Sequence, residues 1–285
     1  MLNAIIFPSS YFDRKLVDED LYKEYEAAES CKLFDDILIF SYEEWFHNGK
    51  LLLNNRPKEK ITAADRGWMM PPEQYKKFYF ALKENRVELI TTPEEYNQFH
   101  IFPNIYGLIK NDTPRIMIFP KETPIDLENV KNTFSRFMVK DYVKSVKGTD
   151  FPTFFDRSIT KDEFDFWMEK FYEYRGGLFT GGVCIKEFVD LKLYGKHKNE
   201  YRVFYINGEV ATISRNSGQA EFASCPPKEI VNKYAHLNSK FYTIDFAELK
   251  DGVWIVIEAG DGSVSGLSDF QDYNEFFRKL FYSFL

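Results

Sequence analysis

Cysteine is scarce in this 285-residue chain. Cys31, Cys184 and Cys225 are odd in number and far apart, and no CxxC pair occurs. Neither a disulfide framework nor a structural zinc site is therefore expected. An excess of positive charge is also missing. Lysine and arginine total 37 against 44 acidic residues, a net charge of −7. The chain lacks the electrostatic footprint of a general nucleic-acid binder, although a local basic pocket for phosphates stays open. No run approaches the roughly 20 apolar residues that span a bilayer. The opening MLNAIIFPSS has no basic n-region and reads as a buried strand, not a signal peptide. A soluble protein in a reducing, cytoplasmic setting is expected. There is no internal repeat and no low-complexity linker.

What is present is ordinary globular material with many rings. Hydrophobic residues are 44% of the chain and aromatics 18%, which excludes a disordered or collagen-like chain. The length suits two modest domains or one large one. In the front half, Ile5–Phe7 and Asp36–Phe40 read as strands around a helix-forming segment, Asp18 to Cys31. Leu51 to Leu53 follow as a hairpin-like stretch. Pro71 and Pro72 open a helix carrying Tyr75, Phe78, Tyr79 and Leu82, Val87 to Ile90 is a short strand, and Thr92 and Pro93 start another helix. This predicts an α/β domain over residues 1–130.

From about residue 131 the pattern changes. FMVKDYV is an apolar strand, and Lys161 to Tyr174 is an amphipathic helix whose Phe164, Trp167, Met168 and Phe171 share a core face. GVCIKEFVDL, EYRVFYING and EVATISR have strand character, with Asn207-Gly208 as a hairpin signal. YTIDFAEL and VWIVIEAG make a second hairpin, and a helix closes the chain. Residues 131–285 are expected to form a mostly antiparallel α+β region.

Ionisable residues inside these apolar strands carry the chemical interest: Lys140, Lys186, Arg202, Asp245 and Glu258. Any one of them can simply face solvent. Five together are harder to dismiss, because buried charges need partners, metals or ligands. Cations come first and carboxylates last, which suits a polyphosphate gripped by Lys and Arg beside a divalent metal held by carboxylates. IKEFVDL can offer backbone groups to an adenine edge and a carboxylate to a ribose, or can be a plain edge strand. In VIEAGDG, Glu258 and Asp261 stand three apart at a strand end, as a cation site or an acidic turn. Asp245 on the preceding strand could face Glu258.

The order of these motifs, with DRGWMMPPEQYKKFYFAL, ELITTPEEYNQFH and EAGDGSVSGLS, resembles the ATP-grasp superfamily, and within it a small clade of bacteria and their viruses. The resemblance covers about residues 62 to 268. It implies an N-terminal α/β pre-grasp domain and a C-terminal grasp lobe, with ATP and Mg²⁺ as cofactors. By position, Lys140 and Lys186 match nucleotide lysines, and Glu187 and Val189 match the adenine hinge. Asp190 matches an acidic position near the ribose. Arg202 matches the arginine aimed at the phosphates, and Arg215 with Asn216 matches the position beside the transferred phosphate and acyl group. Asp245 and Glu258 match the metal carboxylates. Family members end the metal strand as Glu, any residue, Asn. Here Glu258, Ala259, Gly260 and Asp261 follow one another, so Asp261 is assigned as the substitute ligand. The phosphate-covering loop SVKGTDFPTFF also departs, with one glycine and bulky rings.

The resemblance implies an ATP-dependent carboxylate–amine ligase working through an acyl phosphate on small-molecule or peptide substrates. A phosphotransferase on the same nucleotide site and a non-catalytic nucleotide-binding module are the alternatives. Arg66, beside Trp68, either holds an anionic substrate or stacks on a ring. Cys184 and Cys225 read as small buried hydrophobes. His100 reads as a packing residue more readily than as a substrate contact, and His47, His197 and His236 show no metal-site spacing.

Overall fold

A computed structural model describes all 285 residues. The front half runs β1 (Ala4–Pro8), α1 (Tyr22–Ser30), β2 (Asp36–Phe40), α2 (Tyr42–Asn48), β3 (Ile61–Asp65), α3 (Pro72–Glu84), β4 (Val87–Leu89), α4 (Pro93–His100) and α5 (Phe102–Ile109). Its strands form a parallel sheet in the order β2-β1-β3-β4. Strand β1 is central and buried at all five positions, as an unbroken apolar run in a covered parallel sheet should be. Helix α3 begins on proline and turns Tyr75, Phe78, Tyr79 and Leu82 into the core. Helix α4 opens with a capping box: Thr92 accepts from the Glu95 N–H, and the Glu95 carboxylate accepts from the Thr92 N–H. The segment Leu51–Leu53 differs from expectation. It is irregular and touches the sheet only through a Leu53–Phe40 bridge, at the edge of β2 away from β1.

The second sheet is built from β5 (Ile116–Pro120), β6 (Arg136–Asp141), β7 (Phe155–Asp156) and β8 (Gly182–Glu187), with α6 (Leu127–Thr133) and α7 (Lys161–Arg175) between them. The order is β5-β8-β6-β7 and every pair is antiparallel. Strand β5 lies ahead of residue 131 but pairs with β8, so this sheet starts before the composition changes. Helix α7 is capped by a Thr160–Glu163 box and lays Phe164, Met168 and Phe171 on the sheet. Each such burial is worth roughly 1.5–3 kcal/mol, so Phe171→Ala should cost about 3–5 kcal/mol.

The third sheet follows a short hairpin, β9 (Leu193–Tyr194) and β10 (His197–Lys198). It comprises β11 (Glu200–Ile206), β12 (Glu209–Arg215), β13 (Phe241–Glu248) and β14 (Trp254–Asp261), in the order β12-β11-β13-β14. Helix α8 (Lys228–Lys233) connects β12 to β13, and α9 (Tyr273–Tyr282) closes the chain. Asn207 and Gly208 turn the first hairpin with φ of 51° and 84°, the pair of positive angles a type I′ turn requires. One face of this sheet, with Val203, Tyr205, Tyr242, Ile244 and Ala259, packs on Phe99, Phe102 and Ile105 of α4 and α5. The other, with Phe204, Ile206 and Phe241, packs on Phe276 and Phe277 of α9 and on Phe7 and Ala28 of the front half. No helix is long and apolar enough to cross a membrane.

Candidate functional site

The second and third sheets meet at a cavity of about 370 Å³. Met138–Lys140 of β6, the Ser145–Thr153 loop, Lys186–Val189 at the end of β8, Lys198, Glu200 and Ile257–Glu258 line it. Met138 lies opposite Lys186 in register, so the period-two geometry puts Lys140 and Lys186 on one face. Both are buried, at 3% and 5% exposure. Their ammonium groups share one support, the Phe102 ring of α5, at 4.7 and 4.6 Å from its centroid.

Lys140 Nζ donates to Glu258 Oε1 at 2.8 Å, and Lys186 Nζ donates to the Ile257 carbonyl. Burial pushes Lys186 down to about 8, with Lys140 adding to the fall and Glu258 opposing it. Burial alone would raise Glu258, but Lys140 and Lys186 outweigh it and hold the carboxyl below its ordinary value. Lys144 is lowered by burial and by the charges of Arg202, Lys140 and Lys147, against the pull of Glu258.

Asp245 lies opposite both Arg202 and Glu258 in register. Arg202 grips it with a two-pronged fork, Nε to Oδ1 at 2.8 Å and Nη2 to Oδ2 at 2.7 Å, and its Nη1 donates to the Gly266 carbonyl at 3.0 Å. The charge of Asp245 raises the Arg202 pKa further, against the opposing pull of burial, so this cation stays charged. Glu200, two residues before Arg202, is raised by burial and accepts from Asn216 Nδ2 at 2.9 Å.

At the cavity's other end the Val189 N–H, past the end of β8, has no acceptor within the chain. The side chains around it are committed elsewhere. Arg115 holds Glu187 at 2.8 and 3.0 Å, and Arg136 holds Asp190 at 2.7 and 3.2 Å. Phe188 stacks on Phe154 with centroids 4.5 Å apart, and the Arg136 guanidinium covers both rings. Aromatic stacking thus fixes the single-glycine loop to the hinge, where other loops use backbone freedom.

Several expectations need correction. Asp261 does not join Glu258. It lies opposite Tyr242, on the other face of the sheet, because three residues along a strand reverse the side-chain direction. It is fully buried and accepts from the Ser263 N–H. Arg66 is no substrate clamp. It is 1% exposed, forks onto Glu24 at 2.7 and 2.9 Å, and donates to the Gly262 and Ser265 carbonyls. Its guanidinium also lies near the Phe204, Phe241 and Phe276 rings, so it pins the front half to the third sheet. Arg215 pairs in register with Tyr201, stacks on Phe270 at 3.8 Å and reaches Glu221 at 3.4 Å. Neither Arg215 nor Asn216 lines the cavity. Cys184 is buried, but Cys225 is exposed beside the Tyr201 hydroxyl, on a loop that leaves it no core to enter. His100 stacks on Tyr96, and burial, with Lys144, pushes its pKa down to about 4.

Residues not anticipated from sequence also reach the site: Lys144, Lys147, Lys198, Glu200 and Phe102. Glu200 was readable, since it shares strand parity with Arg202. Phe102 carries no such signal, because nothing local marks a ring that will lie under two lysines.

The donor set bears on a divalent cation. Asp245 and Glu258 are hard oxygen donors in direct cross-strand register, which suits Mg²⁺ completed by phosphate oxygens. Position 260, where the family has Asn, is glycine. A Cβ there would lie 3.0 Å from Ser265 Oγ and 3.1 Å from Thr243 Oγ1, so hydroxyls fill the space of a third side-chain ligand. No group of three His, Cys, Asp or Glu side chains is arranged to hold a metal ion.

The sequence profile of an ATP-grasp domain, the third family of its clade, matches residues 127–280. No curated protein matches the chain. Among solved structures, the fold is similar to the D-cycloserine synthetase DcsG (TM-score 0.63, 12% identity, 98% of this chain and 99% of that one). It is similar to D-alanine–D-alanine ligase from Bacillus anthracis complexed with ATP (0.62, 13%, 99% and 97%). It is also similar to the ATP-grasp ligase PsnB complexed with its minimal precursor (0.61, 10%, 99% and 100%). At these identities the likeness establishes the fold: a parallel α/β front half and antiparallel grasp sheets behind it.

Proposed function

From the premise that the chain belongs to the ATP-grasp family whose profile it matches, we propose that it is an ATP-dependent ligase joining a carboxylate to an amine through an acyl phosphate. The single observation that carries this reading is the convergence of Lys140, Lys186 and Glu258 on one cavity, with the Arg202–Asp245 pair beside them. The similar D-alanine–D-alanine ligase was solved with ATP, and PsnB with Mg and ADP. DcsG and PsnB act on small-molecule and precursor substrates by name, which supports a small-molecule or peptide carboxylate and amine here.

The roles follow from the chemistry. The free Val189 N–H, with the Glu187 segment, meets the adenine edge. Asp190, held by Arg136, stands toward the ribose. Lys140 and Lys186 grip phosphate oxygens, and the depressed pKa of Lys186 records how little water competes for it. Arg202 faces the transferring phosphoryl group. Arg215 and Asn216 border the acyl side through the Ser268 and Glu200 contacts of their strand end. Glu258 and Asp245 would hold Mg²⁺, which neutralises charge on the transferring phosphoryl oxygens.

The test is product chemistry. With ATP and Mg²⁺ the melting temperature should rise, since a ligand selective for the folded state stabilises it. Phosphate release should require carboxylate and amine together and should accompany amide formation. Phosphorylation of an acceptor without an amide would make the protein a phosphotransferase. A melting shift with no product across a broad carboxylate and amine panel would make it a binding module.

A further inference from the structure

Both candidate metal carboxylates are already engaged by cations of the chain itself. Arg202 occupies both oxygens of Asp245, at 2.8 and 2.7 Å, and Lys140 occupies Glu258 Oε1 at 2.8 Å. The pairing has a physical reason. Two carboxylates directly opposite on adjacent strands repel, and leaving either uncompensated in a partly dry site is costly. The surroundings reinforce the arrangement. Lys144, Lys147, Lys186 and Lys198 stand around the same cavity, so cationic groups outnumber the three carboxylates Glu200, Asp245 and Glu258. A free divalent cation approaching this site meets net repulsion and must displace a two-pronged guanidinium. A polyphosphate meets attraction, and offers Lys140 and Arg202 a new anionic partner.

We infer that Lys140 and Arg202 are placeholders for the metal: they hold Glu258 and Asp245 closed to a divalent cation until an anion of the polyphosphate class draws them away. This rests on the nucleotide reading above for the identity of that anion, but the closure itself is a property of the unliganded chain. It makes Lys140 and Arg202 positioning residues in the absence of nucleotide, in addition to any phosphate contact they make later. No bond is made or broken; one set of ion pairs is exchanged for another.

The experiment is Mn²⁺ binding to the full-length protein without nucleotide, followed by electron paramagnetic resonance of free Mn²⁺. The wild type should show no site at these carboxylates tighter than the millimolar range. Lys140→Met keeps an unbranched apolar stem over Phe102 and frees Glu258, so Mn²⁺ affinity should rise by about tenfold or more, within the range usual for coupled sites. Adding Glu258→Gln to that variant should abolish the gain. Equal Mn²⁺ affinity in wild type and Lys140→Met, or tight binding to wild type alone, would overturn the inference. Lys140→Gln serves the same purpose should the Met variant melt below the assay temperature. A parallel melting assay of the wild type with ATP and Mg²⁺ separates the two claims. No shift there defeats the nucleotide reading, whereas the Mn²⁺ comparison decides the placeholder claim.

Discussion

Strand β14 delivers a carboxylate to each face of its sheet, and the two fates differ. On one face Glu258 meets Asp245 across the strands; each has its own cation, and the pair opens on a cavity. On the other face Asp261 lies near Asp65 at the end of β3, sealed between the front half and the third sheet. There Asp65 Oδ1 and Asp261 Oδ2 are buried without any hydrogen-bond partner, as are the hydroxyls of Ser263 and Thr91. The one nearby cation, Arg66, is committed to Glu24. Burial, then Asp261, pushes Asp65 up to about 8, and burial pushes Asp261 up to about 7. The first pair is charged and exchangeable, while the second still holds protons near neutral pH. Acidic residues three apart therefore do unrelated work, and the presence of a compensating cation separates them.

The largest contrast lies in turnover. Glu258→Gln should lower kcat by about 10²–10³-fold, by analogy with removal of one preorganised electrostatic group, whereas Asp261→Asn should leave turnover within a few-fold of wild type. Steady-state phosphate release measures both, and equal losses would erase the distinction between the two faces. Next in size is the pin between the halves. Arg66→Ala strands Glu24 in the interior and should destabilise the fold by about 3–5 kcal/mol, read by urea unfolding.

A pH effect sharpens the comparison further. A carboxyl whose folded pKa is raised holds a proton that the unfolded chain releases above about 4. Its contribution to stability is therefore undiminished below that pH, falls as pH rises, and is fully lost above about 8. Asp65→Asn removes this loss. The melting-temperature difference between variant and wild type should grow from pH 5 to pH 8, reaching on the order of 1–3 kcal/mol in stability. A difference independent of pH would mean that Asp65 titrates normally. The groups facing this pair are Glu95, Arg66, Tyr75 and Tyr96, so Glu95→Gln should give a smaller change of the same sign.

Much of this was legible in the chain. The apolar runs around Lys140, Lys186, Arg202, Asp245 and Glu258 identified the strands, and their order identified the fold, because alternation and turn signals are local. Placing Asp261 with Glu258 ignored a rule equally local: three steps along an extended strand invert the side chain. Other features had no local trace. The partner of Arg66 is Glu24, 42 residues earlier. Strand β5 finds β8 across the whole of β6, β7 and α7. Nothing around Phe102 announces its position below two ammonium groups. The exposure of Cys225 depends on how the segment after β12 is tied by Ser224 and Asn199 to Glu248.

Phe102 has a consequence of its own. The spacing of the two ammonium heads is set by the width of one benzene ring, and that ring belongs to a helix outside the grasp sheets. Lys140 and Lys186 therefore cannot be retuned one at a time by their surroundings. Any shift of the helix moves both anchors in concert, so this single flat surface acts as a gauge block between the front half of the molecule and its anion grip.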